Sequence, residues 1–253
     1  MTPEPMAAVP PEPERMGEFS RIMGVYLEPS KAFDDIVRHP KWLAPMVLVI
    51  LSGIVFYSVF GQHVTWQRFL QHQLDTNPKR AEQMAQMPPD QRARAMDMSV
   101  KFAGIAADGA IVVFTPLAML LSAAIILIVA NAMGAGLKYK TIFSIGAYAS
   151  LTIIVKYALG IVVMFLKNPD DFNPNNPVAF NFGAFMDPLT SSKFLYTIAT
   201  AVDLFAIWTL LLTATGLKTA AGKRLSFGGA FIAAAVPFGL LVLFGATMAG
   251  LFS

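Results

Sequence analysis

The sequence predicts an all-α membrane protein with five transmembrane helices, and three observations lead there. Only 14% of the 253 residues are charged, where a soluble domain carries about a quarter. Hydrophobic residues make up 55%, with a mean hydropathy of +0.56. Charge-poor apolar runs recur five times, each near the roughly 20 residues that a helix needs to cross the hydrocarbon core. Cysteine is absent, which excludes disulfides and Cys-bound zinc. The net charge of +3 is small for a nucleic-acid binder and the basic residues are scattered through loops, so no nucleic-acid partner is expected.

Residues 1–16, "MTPEPMAAVPPEPERM", are rich in proline and glutamate and read as a disordered arm. No basic n-region precedes an h-region there, so the arm is no signal peptide. Residues 17–41 form a cytoplasmic region holding an interfacial helix. In "PSKAFDDIVRHP", Pro29 lies near the first turn and Pro40 closes the helix. Ala32, Phe33, Ile36 and Val37 fall on one side, with Lys31, Asp34, Asp35 and Arg38 mostly on the other. Such a helix suits either the membrane interface or a site packed on the spans.

The five-span membrane domain occupies 42–253. Its first span, 42–60, starts at Trp42, an interfacial residue type. The second, 109–133, contains Pro116 as a kink; the third, 142–166, contains Lys156. The fourth, 194–217, carries Asp203 near its middle, and the fifth, 225–252, carries Pro237. The extracytoplasmic insert 61–107 reads as two short helices broken by Pro88-Pro89. His63 and His72 stand nine apart there, which is not the spacing of a helical metal pair. The loop 167–193 is dense in Asn, Pro and Asp and turn-rich.

Basic residues in short loops set the orientation. "GAGLKYKT" has two lysines and no acid, and "KTAAGKR" has three basic residues and no acid. Both lie on the N-terminal side, which places the N-terminus inside and the C-terminus outside. The insert, with six Lys/Arg against four acids, runs against that bias.

Lys156 lies roughly 21 Å from the inner end of its span and Asp203 roughly 14 Å from the outer end of its own. Across a core about 30 Å thick, the two reach similar depth. They are expected to form an intramembrane ion pair, to be accommodated separately, or to mark a proton or substrate path. Asp108 is expected at the outer mouth of the second span, reaching water or favouring that helix's N-terminus. Thr115 and Ser122 are expected to bond within their own helix.

Enzyme motifs are absent. Asp203 follows "ATAV" and Asp108 follows "IAA", neither being the Gly-x-Gly-Asp of intramembrane aspartyl proteases. No serine-protease, His-Glu-x-x-His or phosphate-loop pattern occurs, so neither catalysis nor a cofactor is expected. In the fifth span Gly229, Ala233 and Pro237 recur every four residues and make a small-residue packing stripe. It serves the monomer's own packing or an oligomer face.

The order of features resembles the Yip family, the Ypt/Rab-interacting membrane proteins and their bacterial relatives. "GVYLEPSKAFDDIVRHPKWLAPMVLVI", "FSIGAYASL" and "DLFAIWTLLLTATGLKTAAGKRLSFGGAFIAAAV" carry the resemblance, across roughly residues 20 to 253. It implies five spans with the same orientation, and it puts Asp203, Trp208, Gly216 and Lys223 at recurring positions of the pattern. The short arm and the insert resemble the bacterial branch, so the GTPase partner of eukaryotic members is not carried over. The expectation is a multi-pass protein of a bacterial cytoplasmic membrane, a non-enzymatic scaffold or membrane organiser. Its expected partners are the bilayer and other membrane proteins, in homo- or hetero-oligomers. The alternative is a transporter or permease subunit with a polar path around Lys156 and Asp203.

Overall fold

Inside a bilayer no water satisfies the backbone, so apolar runs of this length must close their own hydrogen bonds as helices. The computed structural model describes residues 15–75, 78–174, 176–187 and 190–251. Among them are eleven α-helices: α1 (Glu18–Leu27), α2 (Pro29–Arg38), α3 (Leu43–His63), α4 (Trp66–Asp75), α5 (Pro78–Ala85), α6 (Pro89–Ala132), α7 (Tyr139–Ala149), α8 (Thr152–Leu166), α9 (Lys193–Ala201), α10 (Leu204–Ala221) and α11 (Phe227–Leu251). Five segments are long and apolar enough to cross a membrane: α3, α6, the α7–α8 pair, α10 with its last turn to Arg224, and α11. The arm expected over 1–16 lies almost wholly outside the described residues.

The main core joins α2, α7, α10 and α11, with Phe33, Ile36, Ile145, Leu217 and Ala233 fully enclosed. A second, aromatic cluster of Phe56, Phe60 and Phe172 closes the other end of α3 and α8. Gly216 lets α10 approach two neighbours. A Cβ there would lie 2.5 Å from Ile145 Cγ2 and 2.9 Å from Phe33 Cδ1. The short loops turn on left-handed glycines, Gly134 (φ 85°), Gly136 (φ 62°) and Gly222 (φ 60°). Lys218 Nζ donates to the Gly222 and Leu225 carbonyls at 2.6 and 2.9 Å, closing the end of α10 with a cation.

Four expectations change. Pro88-Pro89 does not separate two short helices of the insert. It starts a single 44-residue helix, α6, that runs through the second span with Pro116 inside it. Proline is favoured in a helix's first turn, and no breaker follows before the apolar run. The third span is divided at Ser150–Leu151. Ser150 and Thr152 bond the Ala147 and Ala149 carbonyls at 2.8 and 3.3 Å, which competes with the helical ladder. The fourth span is divided at Val202–Asp203, so its apolar crossing is Leu204–Arg224 and α9 is a separate helix packed on α11. Lastly, Asp35, expected on the polar side of α2, belongs to its buried side with 6% exposure, while α2 packs against α7 and α10, one of the two settings expected for it.

Candidate functional site

Each break places a polar group inside the fold, and the candidate site grows from them. Asp203 is a favoured N-cap residue, and it caps α10: its Oδ1 accepts from the Ala206 N–H at 2.7 Å. Its other oxygen, Oδ2, lies 2.5 Å from Lys156 Nζ on α8. Asp203 is 3% exposed and the Lys156 side chain 28%. Asp203 therefore stands at the start of the α10 crossing and not in its middle. There the helix dipole and an ammonium both favour a carboxylate.

The loop before α9 folds onto this break. The Leu204 N–H donates to the Phe180 carbonyl at 3.1 Å, and Asn181 makes an isolated bridge with Asp203. Asn181 is held by Asn176, Nδ2 to Oδ1 at 2.6 Å, and its own Oδ1 caps Ala184 N at 3.1 Å. Gly183 fits against Thr200, whose Cγ2 would lie 2.3 Å from an added Cβ. Lys156, Asp203 and the loop thus make one clamp.

The break at Leu151 is closed from the N-terminal hairpin. Tyr26 of α1 donates its hydroxyl to the Leu151 carbonyl at 2.6 Å, and its ring stands edge-on to Trp208 of α10 at 5.8 Å. Burial pushes the Tyr26 hydroxyl up to about 12. Beside it, Arg21 is 1% exposed; its Nε meets Asp35 Oδ2 at 2.5 Å and its Nη1 donates to the His39 carbonyl at 3.2 Å. Tyr148 of α7 donates to Glu18. Burial acts to raise the Asp35 carboxyl, but the Met16 N–H, Arg21 and His39 outweigh it and hold Asp35 below the ordinary carboxylate value. Sequence reasoning missed Arg21, Tyr26 and Tyr148. The available signal is an arginine within an otherwise apolar α1 face, whose partner lies on the next helix.

Other expected residues are dispersed. Asp108 lies 19 residues into α6, roughly 28 Å from its N-terminus, so that terminus cannot stabilise it. Its Oδ1 is buried without a hydrogen-bond partner among the described residues. Thr115 and Ser122 make no hydrogen bond within their helix among the described residues. Gly229, Ala233 and Pro237 are buried inside the monomer, where a Cβ on Gly229 would meet Met133 Cε at 2.9 Å. His63 lies tilted against Phe165, ring centroids 4.4 Å apart, and no group of three His, Asp or Glu among the described residues could hold a metal ion.

The family model described as the Yip1 domain matches residues 23–249. The chain belongs to the Yip1 domain family. This Yip1 domain protein is also 26% identical over 223 residues to a Bacillus subtilis (strain 168) protein, "Membrane protein YknW", covering 88% of this chain and 87% of the relative. No solved structure gives a significant match. The Yip1 match takes in Lys156, Asp203, Tyr26 and Asp35 but begins just after Glu18 and Arg21.

Proposed function

We propose that this Yip1 domain protein is a non-enzymatic scaffold or membrane organiser of a bacterial cytoplasmic membrane, with its N-terminus inside and its C-terminus outside. The observation that carries the reading is α6. At 44 residues it is roughly 66 Å long, about twice the hydrocarbon core, so half of it projects beyond the bilayer. On that projection Met98, Phe102 and Ile105 recur at helical spacing with exposures of 59%, 58% and 69%. Such an unpaired apolar stripe suits another helix. Cysteine at Phe102, in a chain with no native cysteine, should crosslink to a membrane partner or a second copy in native membranes. Recovery of monomer alone would sink the scaffold.

The transporter reading keeps one supporting observation: transporters use interrupted helices at their sites, and the third crossing here is interrupted between α7 and α8. Against it, Asp203 has both oxygens engaged within the protein. Protein in liposomes that dissipates a proton gradient would restore it.

A further inference from the structure

We propose that the cavity between α6 and the α7–α10–α11 wall holds one acyl chain of a bilayer phospholipid. Its volume is 660 Å³, within the roughly 300–1,000 Å³ typical of ligand pockets. Along α6 it runs from Ala107 to Ile126, roughly 28 Å, close to the thickness of the hydrocarbon core. Small residues open it: Ala110, Ala118 and Ala123 on α6 face Gly146 on α7 and Ala234 on α11.

No charged residue lines the cavity, and Lys156 and Asp203 stand apart from it. Of the aliphatic hydroxyls that line it, Ser150, Thr209 and Thr213 are spent on backbone carbonyls three or four residues back, each at 2.8 Å. Thr115 and Ser122 are left, too few to hold a file of waters in a space this apolar. Phe114 and Leu241 line the cavity and are also exposed on the outer surface, at 64% and 42%, which gives a chain a sideways entrance from the membrane. One end differs from the rest. Tyr57 and Trp66 stack there, with ring centroids 6.1 Å apart, and neither Tyr57 Oη nor Trp66 Nε1 has a hydrogen-bond partner among the described residues. Tyr and Trp with free donors are the side chains that meet the ester and phosphate zone of a bilayer. A long apolar channel with donors at one end is complementary to a single amphiphile chain. The site is independent of the scaffold reading.

The test uses the full chain in phosphatidylethanolamine–phosphatidylglycerol vesicles doped with a phosphatidylcholine carrying a diazirine in one acyl chain. After photolysis, adducts are mapped by peptide mass spectrometry. Ala118, Ser122 and Thr209 should be labelled at least as strongly as the lipid-facing Leu120 and Leu121. Ala118→Phe, which fills the channel, should reduce cavity adducts several-fold while leaving labelling of Leu120 and Leu121 intact, which also reports that the variant is folded. Labelling confined to lipid-facing positions in the wild type would overturn the proposal. So would cavity adducts unchanged by Ala118→Phe, or cavity labelling by a free diazirine fatty acid but not by the phospholipid probe.

Discussion

Asp203 divides its carboxylate between two tasks, and substitutions can separate them. Asn retains the cap on Ala206 but loses the charge that meets Lys156; Ala loses both. Asp203→Ala should therefore be less stable than Asp203→Asn by about 1 kcal/mol, the worth of a cap, read as midpoint shifts in detergent. At the other break, Tyr26→Phe leaves the Leu151 carbonyl with the Ile154 N–H alone and should cost about 0.5–1.5 kcal/mol. The same residue gives an alkaline signature. Its native value of about 12 lies above the unfolded value of about 10, so the burial contribution is fully present below pH 10 and is lost as pH rises through 12. Asp35 has the opposite sign. Its depressed carboxyl contributes stability above its unfolded value of about 3.9, lost as pH falls through the lower native value. Asp35→Asn should flatten the acid limb of a stability–pH profile.

Among the elements, contact between α2, α7 and α10 depends on one missing side chain. Gly216→Ala would push a methyl into Ile145 and Phe33 and should destabilise by about 1–3 kcal/mol. Gly245→Ala in α11, where nothing lies within 4 Å, should instead stabilise by roughly 0.5–1 kcal/mol. Thermal unfolding of the pair separates packing from backbone entropy. The same elements show where sequence reading succeeds and stops. Length and hydropathy alone mark the five apolar crossings, because the bilayer imposes both. The interruptions at Ser150–Leu151 and Val202–Asp203 escape that reading, since composition stays apolar across them. Asp203 is visible as a rare charge but not as a cap, because an N-cap is defined by a helix end that hydropathy does not reveal. For Lys156 and Asp203 the sequence offers only a comparison of depth. The Arg21–Asp35 contact is harder still. It joins two helices whose relative rotation is set by what they pack against, and Asp35 therefore falls on the wrong side of a helical wheel.

For the whole molecule, the two proline-free interruptions and the N-terminal hairpin form a single arrangement. Tyr26 and Trp208 tie α1 to α10, Tyr148 ties α7 to α1, and Lys156 ties α8 to Asp203 at the start of α10, which the loop around Phe180 covers. The polar groups near the breaks are joined to one another and leave the lipid-facing surface apolar. Orientation can be read with cysteines at the exposed Lys223 and Asp171, which five crossings place on opposite sides of the membrane. An impermeant thiol reagent should label one from each side; labelling of both from one side would overturn the five-span topology. We propose that Lys156 and Asp203 form a structural clamp and not a conducting path. A double-mutant cycle of Lys156→Met and Asp203→Asn, followed by thermal stability in detergent, tests it most directly. Each single change should destabilise by about 3–5 kcal/mol, with the double variant recovering much of the loss, because an unpaired charge is worse than none. Additive effects, or two tolerated single changes, would contradict the clamp.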